Sequence, residues 1–333
     1  MGNPPFGHSG ESAIRTYFTE AEGTSLRHFF TEQQWQDLAH FDGNANTFRL
    51  LTHQFAGRRK GGFVMTYSTL ASVVKYPFSS TMAGKKSKFG FFAHEQEYYE
   101  RIATELGIPC LERSDNSGVR YARHPLVYLV EAADDICYEV MDIEDAFKLR
   151  ILSFEETQEL LLSFFDEATQ QKLQSEYPAD SDRGDRIVYY RACVIGALER
   201  ACVNAFVRHE EDILAGTFTG ALIDHLPDRE REAYKYCSRL AVERIYKARE
   251  VTDIELAGYH IIHTLLGLMV NAVLHPDRAD NRLLLGQASA QYALGEGTEA
   301  ERIMHVVDYL TGMTDVYALD LYRKINGHQL PTV

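Results

Sequence analysis

The sequence lacks the features that mark several protein classes. It has no CxxC pair and no Cys/His spacing typical of a zinc site, and its five cysteines are odd in number and widely separated: Cys110, Cys137, Cys193, Cys202 and Cys237. This excludes a simple disulfide framework and favours a reducing compartment. The longest apolar run, residues 265–274, is much shorter than the roughly 20 residues of a membrane span. We therefore expect a cytoplasmic protein without a membrane segment.

Common nucleotide-binding and hydrolase motifs are also missing. No GxxxxGK[ST], GxGxxG or GxSxG occurs, and "HEQEY" at 94–98 lacks the second histidine of a zinc-protease motif. Strand patterns are scarce, and only 117–124 is predicted to form an arm of a short hairpin. Apolar residues instead recur at helical spacing in 154–165, 190–214 and 253–274. The sequence therefore predicts an all-α fold with at most a short β-hairpin.

Acidic residues are absent from one long window. The chain has 48 acids against 34 bases, yet no Asp or Glu lies between Gly43 and His94, where an even distribution would place about seven. Cations without counter-charge and interleaved aromatic rings suit a nucleotide or single-stranded nucleic acid. A solvated basic face over an aromatic core is the alternative. The cations are Arg49, Arg58, Arg59, Lys60, Lys75, Lys85, Lys86 and Lys88.

A second segment has the opposite charge. "EAADDICYEVMDIED" at 131–145 contains seven acids in fifteen residues. Helical geometry places Asp134, Tyr138 and Asp142 in one stripe about 80° wide, and the apolar residues, among them Cys137 and Met141, are expected on the core side. Such a stripe suits a divalent cation and a sugar hydroxyl. A water-facing acidic surface explains the same pattern.

The first residues, "GNPPFGHSGE" at 2–11, form the third signal. The prolines fix the backbone and the glycines permit turns, so that His8 and Glu11 are expected on one face at the start of a helix. A carboxylate next to an imidazole suits proton transfer near neutral pH. The alternative is that His8 and Glu11 only stabilise the helix N-terminus.

Several long motifs resemble one family in the same order along the chain. "GNPPFGHSGE" resembles the segment that follows the His-Asp doublet of bacterial deoxyguanosine triphosphate triphosphohydrolases of the HD superfamily. The resemblance covers most of residues 2–150 and the last thirty. The further motifs are "FDGNANTFRLLTH" (41–53), "TYSTLASVVKYP" (66–77), "KFGFF" (88–92), "RHPLVYLVEAADDICYEVMDIED" (123–145) and "DYLTGMTDVYALDLYRKINGH" (308–328).

This resemblance implies a fold, a reaction and residue roles. It implies an HD-type catalytic region at 1–150 and a helical C-terminal region at 151–333 packed on it as one body. The implied reaction is metal-dependent hydrolysis of a deoxynucleoside triphosphate, dGTP above all, to deoxynucleoside and triphosphate. The implied roles are catalytic for His8 and Glu11, metal-binding for Asp134, and substrate-binding for Asn44, Lys75, Tyr76, Lys88, Tyr138 and Asp142.

The chain also departs from the family pattern. The family's first metal His and its His-Asp doublet lie upstream of the position that Gly2 occupies, so we expect a truncated fragment of a longer gene product. A single carboxylate holds a divalent metal such as Mg²⁺ or Mn²⁺ weakly. We therefore expect little metal affinity and little or no turnover. Loss of the upstream helices should leave apolar surface bare, which favours association or poor solubility. Because relatives are commonly oligomeric, we expect a homo-oligomer.

Two functions of different classes remain open from the sequence. The first is a deoxynucleoside triphosphate triphosphohydrolase. The second is a non-catalytic nucleotide-binding or oligomeric interaction protein that uses the cationic window. Single-stranded DNA is a further partner that no residue pattern specifically supports. His260 and His263 have a metal-compatible spacing, but their apolar surroundings favour core histidines.

Overall fold

The structure is a computed structural model that describes residues 2–58, 61–84, 87–115, 118–177 and 181–328. It is all-α apart from one antiparallel hairpin, β1 (Cys110–Arg113) paired with β2 (Val119–Tyr121), which confirms the predicted fold class. The helices are α1 (His8–Glu20), α2 (Glu32–Ala39), α3 (Gly43–Thr52), α4 (Tyr67–Ser72), α5 (Gln96–Glu105), α6 (Pro125–Lys148), α7 (Phe154–Leu162), α8 (Glu167–Glu176), α9 (Arg183–Arg208), α10 (Glu210–Ala215), α11 (Asp228–Leu240), α12 (Arg249–Leu274), α13 (Ala279–Leu285), α14 (Glu299–Thr311) and α15 (Asp315–Ile325).

The helix boundaries follow from local sequence signals. A capping box, in which a Ser or Thr side chain and a residue three positions later satisfy each other's backbone N–H groups, starts α2, α7 and α14. Asp42 caps α3 and Pro125 occupies the first turn of α6, where a missing N–H costs nothing. The capping pairs are Thr31 with Gln34, Ser153 with Glu156, and Thr298 with Glu301.

Two compact units make up the chain. The first unit comprises residues 1–123 and 253–333, and the second comprises 124–252. The family resemblance predicts a division at residue 150, whereas the two units meet after residues 123 and 252. That expected division concerns the extent of a catalytic region and stays a prediction.

Each unit has its own apolar core. In the first unit, α1, α2, α12 and α14 contribute fully buried side chains such as Phe18, Leu265 and Leu310. In the second unit, α6, α7 and α9 pack through Val140, Leu161 and similar residues. Burial of one such side chain contributes roughly 1.5–3 kcal/mol, so these cores hold the polar residues at the helix ends in place.

Helix α12 is the most apolar of the described helices. It is long and apolar enough to cross a membrane by length and composition, and half of its most apolar window is buried inside the protein. Its fully buried residues Ile262, Leu265 and Met269 belong to the core of the first unit. A buried core helix passes the same test of length and composition, so α12 is explained by its packing.

Candidate functional site

The first candidate site lies at the start of α1. Phe6 and Gly7 adopt left-handed backbone conformations, with φ of 62° and 56°, and the Gly7 N–H donates to Pro4 O at 3.1 Å. This tight turn ends at His8, where α1 begins. His8 and Glu11 therefore lie one helical turn apart, and His8 Nδ1 is 3.1 Å from Glu11 Oε2. The structure thus brings together the two residues whose spacing predicts a pair.

The Glu11 carboxylate is buried but well provided with donors. Its side chain is 2% exposed, whereas the His8 side chain is 75% exposed. Oε1 accepts the Gly43 N–H at 2.9 Å, and Lys88 Nζ lies 3.9 Å from Oε2. Burial alone would raise the pKa of Glu11, but the hydrogen bonds from His8 and Gly43 and the charge of Lys88 outweigh it and lower the pKa. Glu11 is therefore an ionised carboxylate at neutral pH.

The His8 imidazole responds in the opposite sense. Its hydrogen bond to Glu11 raises the pKa of His8 above 6.5, against the smaller lowering effects of burial and of Lys88. The ring is open to solvent on the side away from Glu11. An exposed imidazole whose charged form is stabilised near neutral pH is suited to giving up or accepting a proton.

Lys88 and Asn44 join the same cluster through Asp42. Lys88 Nζ is 2.7 Å from the fully buried Asp42 Oδ2. The other oxygen, Oδ1, accepts the Asn44 backbone N–H at 2.7 Å and the Asn44 side-chain amide at 2.6 Å. Four of the nine predicted site residues, His8, Glu11, Asn44 and Lys88, are thereby linked in the first unit.

Lys75 and Tyr76 form a separate pair that follows α4. Lys75 Nζ lies 5.8 Å from the centre of the Tyr76 ring, and Lys75 O accepts the Arg123 Nε–H at 3.1 Å. The Tyr76 ring meets Phe78 edge to face at 6.2 Å. A cation held over an aromatic ring suits a phosphate next to a flat base or sugar.

The sequence suggested that the cations of the acid-free window lack counter-charges, and this is wrong for Arg49 and Lys88. Arg49 is fully buried and binds Asp308 through Nε at 2.6 Å and Glu95 through Nη1 at 2.7 Å. The acids that neutralise Arg49 and Lys88 are supplied from outside the window by tertiary packing. Arg49 is thus a structural residue. Arg59, Lys60, Lys85 and Lys86 lie outside the described residues.

The acidic stripe lies on α6 in the second unit. Asp134 and Tyr138 are exposed and Asp142 is partly buried, and Asp142 Oδ2 accepts a hydrogen bond from Tyr246 Oη at 2.6 Å. Burial raises the pKa of Asp142, and the hydrogen bond from Tyr246 only partly opposes this. The stripe therefore presents a carboxylate and a phenol ring on one open helix face.

Two details of the predicted stripe are wrong. Cys137 and Met141 are exposed and do not face the core, because the buried side of α6 is rotated away from them and includes Glu139 and Ala146 instead. The expectation that His260 is a core histidine is also wrong, because His260 is exposed and its ring contacts Tyr322. His263 is half-buried between Tyr17 and Tyr259.

Glu139 and Tyr246 are residues that the sequence pattern did not reveal. Glu139 is 8% exposed, and its Oε2 accepts the Ser238 hydroxyl at 2.8 Å, whereas its Oε1 is buried without a hydrogen-bond partner. Burial raises the pKa of Glu139 to about 7. Tyr246 follows a π-helical turn, Ala241–Ile245, a geometry often found at functional sites. The signal that could have identified Glu139 was a glutamate placed, by helical periodicity, on the same side of α6 as its buried apolar residues.

The residues present do not fit a tightly held metal ion. Within the described residues, no group of three or more His, Cys, Asp and Glu side chains is arranged to hold one. Asp134 is an exposed carboxylate, and Glu11 is already engaged by His8 and Gly43 N–H. A lone carboxylate competes poorly with water for a divalent ion.

Comparison with known proteins adds an independent finding. Residues 225–324 match the phosphohydrolase-associated domain. A deoxyguanosinetriphosphate triphosphohydrolase-like protein of Pseudomonas aeruginosa is 34% identical over 345 residues, which cover 100% of this chain and 76% of the relative. A protein of the same name from Synechocystis is 33% identical over 343 residues, covering 99% and 75%. The deoxyguanosinetriphosphate triphosphohydrolase of Yersinia enterocolitica is 26% identical over 400 residues, covering 98% and 76%.

Proposed function

The chain belongs to the family of deoxyguanosinetriphosphate triphosphohydrolase-like proteins, and from this premise we propose that it acts on deoxynucleoside triphosphates. The reaction is hydrolysis at the α-phosphorus, which releases a deoxynucleoside and inorganic triphosphate, with dGTP as the favoured substrate. The observation that supports this most directly is the His8–Glu11 pair, in which a buried carboxylate stabilises the charged form of an exposed imidazole.

His8 and Glu11 have different parts in this proposal. A water molecule forms a bond to the α-phosphorus and loses a proton, while the bond between the α-phosphorus and the 5′-oxygen breaks. The departing 5′-oxygen takes up a proton. His8 is the group that exchanges this proton with the substrate, because its ring is open to solvent. Glu11 favours the charged form of His8 and orients its ring, and Glu11 is itself fixed by the Gly43 N–H and by Lys88. In a longer chain that hydrolyses the substrate, removal of either group should reduce turnover by roughly 10²–10⁴-fold.

The remaining predicted residues bind the substrate. Lys75 and Lys88 offset phosphate charge, and Tyr76 gives the sugar or base a flat surface. Asp142 accepts a sugar hydroxyl, and the Tyr138 ring packs against the deoxyribose and disfavours a sugar with a 2′-hydroxyl. Asp134 is the residue proposed to contribute to a metal site, with the remaining ligands absent from the described part of the chain. We therefore propose that the 333-residue chain alone turns over little or no substrate.

A non-catalytic nucleotide-binding role is the second candidate. It is favoured by the same lack of a three-ligand metal group among the described residues. In that case the cationic and aromatic residues bind a nucleotide without cleaving it. Both candidates place the protein in the cytoplasm, which the five free cysteines support.

One experiment distinguishes the candidates. The chain is incubated with dGTP and Mn²⁺, and inorganic triphosphate release and dGTP binding are measured. The same is done for a longer chain in which the family's His and His-Asp ligands precede Gly2. Triphosphate release by the longer chain, abolished by His8→Ala, supports the hydrolase. Binding without release by either chain supports the second candidate. Absence of both binding and release contradicts both candidates, and GTP is the control for sugar selection.

A further inference from the structure

The turn that presents His8 is held by residues from the opposite end of the sequence. Phe6 has a φ of 62°, a conformation that is uncommon for a residue with a large side chain and that persists only where surrounding contacts enforce it. The turn's own hydrogen bonds, Gly7 N to Pro4 O at 3.1 Å and Ser9 N to Phe6 O at 3.2 Å, do not by themselves explain why Phe6 keeps this conformation.

Three contacts with α12 and α15 supply the constraint within the first unit. The Phe6 N–H donates to Asp315 Oδ1 at 2.9 Å. The Ser9 hydroxyl donates to the Glu255 carbonyl. The Phe6 side chain lies against Gly258, where a Cβ would be 2.5 Å from both Cβ and Cγ of Phe6. Residues on both sides of His8 are thereby attached to two helices that follow it by more than 240 positions.

Asp315 is not needed to cap α15, the helix that contains it. Thr314 is the N-cap of α15 and accepts the Tyr317 N–H through its hydroxyl at 3.2 Å. The Asp315 carboxylate is consequently available for Phe6, and its place in the first helical turn favours its negative charge. The bond is a charge-assisted one from a backbone N–H to an ionised acid, which is stronger than a neutral hydrogen bond.

We propose that Asp315 and Gly258 are positioning residues for His8. Asp315 anchors the backbone of the strained turn, and Gly258 leaves the space that the Phe6 side chain needs, so that the imidazole meets Glu11 at hydrogen-bonding distance. This gives a role to the C-terminal motif at 308–328. The effect of this positioning on catalysis rests on the proposed function, whereas the geometric constraint on His8 is independent of it.

The primary test reads the ionisation of His8 directly by NMR titration of the folded chain, with the His8 signal assigned from its loss in His8→Gln. In Asp315→Ala the turn loses its anchor, and the His8 pKa should fall from its raised value toward 6.5. Asp315→Asn retains a side-chain oxygen acceptor and should leave the pKa unchanged. The matched control is Asp320→Ala, which removes an exposed ion pair to Lys324 on the same helix and should have no effect.

Gly258→Ala tests the second contact. The added methyl group displaces Phe6, and the His8 pKa should again fall, although alanine favours helix formation more than glycine. The control is Gly267→Ala on the same helix, where a Cβ would make an ordinary 3.6 Å contact with Tyr17. That variant should titrate like the parent chain. Circular dichroism establishes that each variant remains folded.

The outcomes separate this proposal from the proposed function. Folded Asp315→Ala and Gly258→Ala chains with the parental His8 pKa would overturn it, as would equal shifts in Asp315→Ala and Asp320→Ala, which would indicate charge alone. In a catalytically active longer chain, Asp315→Ala should lower kcat with little change in KM. A shifted His8 pKa in a chain that never hydrolyses a deoxynucleotide would leave the positioning role intact and remove the hydrolase function.

Discussion

Two regions of the molecule contain buried or partly buried carboxyl groups, and their pKa values are shifted in opposite directions. At the start of α1, Glu11 and Asp42 lie beside Lys88 and backbone N–H groups, and the pKa of Glu11 is lowered. On α6, Glu139 and Asp142 accept hydrogen bonds from the neutral hydroxyls of Ser238 and Tyr246, and burial raises both pKa values. Burial is common to both regions, so the difference comes from the partners.

This contrast explains what each region is suited to do. A carboxylate held ionised by cations and N–H groups can orient and charge a neighbouring imidazole, as Glu11 does for His8. A carboxyl group that is close to half-protonated at neutral pH instead responds to small changes in pH or in nearby charge. Glu139 on α6 is thus the more sensitive group, and the α1 cluster is the more strongly fixed one.

The largest expected effect comes from removing the cation of the α1 cluster. Lys88→Met leaves Asp42 buried without its ion-pair partner, and the free energy of unfolding should fall by about 3 kcal/mol, measured by urea denaturation. Lys324→Met is the control, because its pair with Asp320 is exposed and should contribute less than about 1 kcal/mol. The double variant Lys88→Met with Asp42→Asn should recover part of the loss, and a double variant no more stable than Lys88→Met would contradict the ion pair as the cause.

Glu139 should make stability depend on pH in the opposite direction to Glu11. The native pKa of about 7 exceeds the ordinary value of 4.5, so the native state binds the proton more tightly. Stability from this source is complete below about pH 4.5 and is lost as the pH rises toward 7, by about 3 kcal/mol. Glu139→Gln resembles the protonated acid and should remove this decline. The measurement is urea denaturation of parent and variant at several pH values.

Glu11→Gln provides the opposing case. Because the native pKa of Glu11 is lowered, the stability from its ionisation is present above pH 4.5 and is lost as the pH falls through its native pKa. The parent chain should therefore lose stability relative to Glu11→Gln on acidification and relative to Glu139→Gln on alkalinisation. The same direction of change in both comparisons would refute the contrast between the two regions.

The smallest expected effect concerns Tyr246. Tyr246→Phe removes the hydrogen bond to Asp142, and should lower the free energy of unfolding by about 1 kcal/mol and raise the Asp142 pKa further, as followed by carboxyl NMR titration. Tyr236→Phe is the control, since Tyr236 is an exposed residue of α11 that contacts Arg239 through its ring. An unchanged Asp142 pKa in Tyr246→Phe would show that burial alone sets its ionisation.

Local signals predicted a part of the candidate site. The i, i+3 spacing after a glycine and proline turn predicted that His8 and Glu11 lie close together, and the helical period predicted the face shared by Asp134, Tyr138 and Asp142. The acids that neutralise Arg49 could not be predicted in this way, because Asp308 is 259 positions away. The exposure of Cys137 and Met141 was missed for a related reason, since an apolar pattern does not show which side of a helix its neighbours in the fold cover.

The sequence by itself determined the helical class, one arm of the short hairpin and the helix starts at capping residues, because these depend on contacts between residues a few positions apart. Its motifs also pointed to the family. Only the tertiary structure decided which carboxyl groups are ionised and which backbone contacts hold the His8 turn. Those properties depend on burial and on partners such as Lys88, Ser238 and Asp315, which folding brings from distant parts of the chain. Electrostatic effects and hydrogen bonds depend on the distance between groups in space, and separation along the sequence does not give that distance.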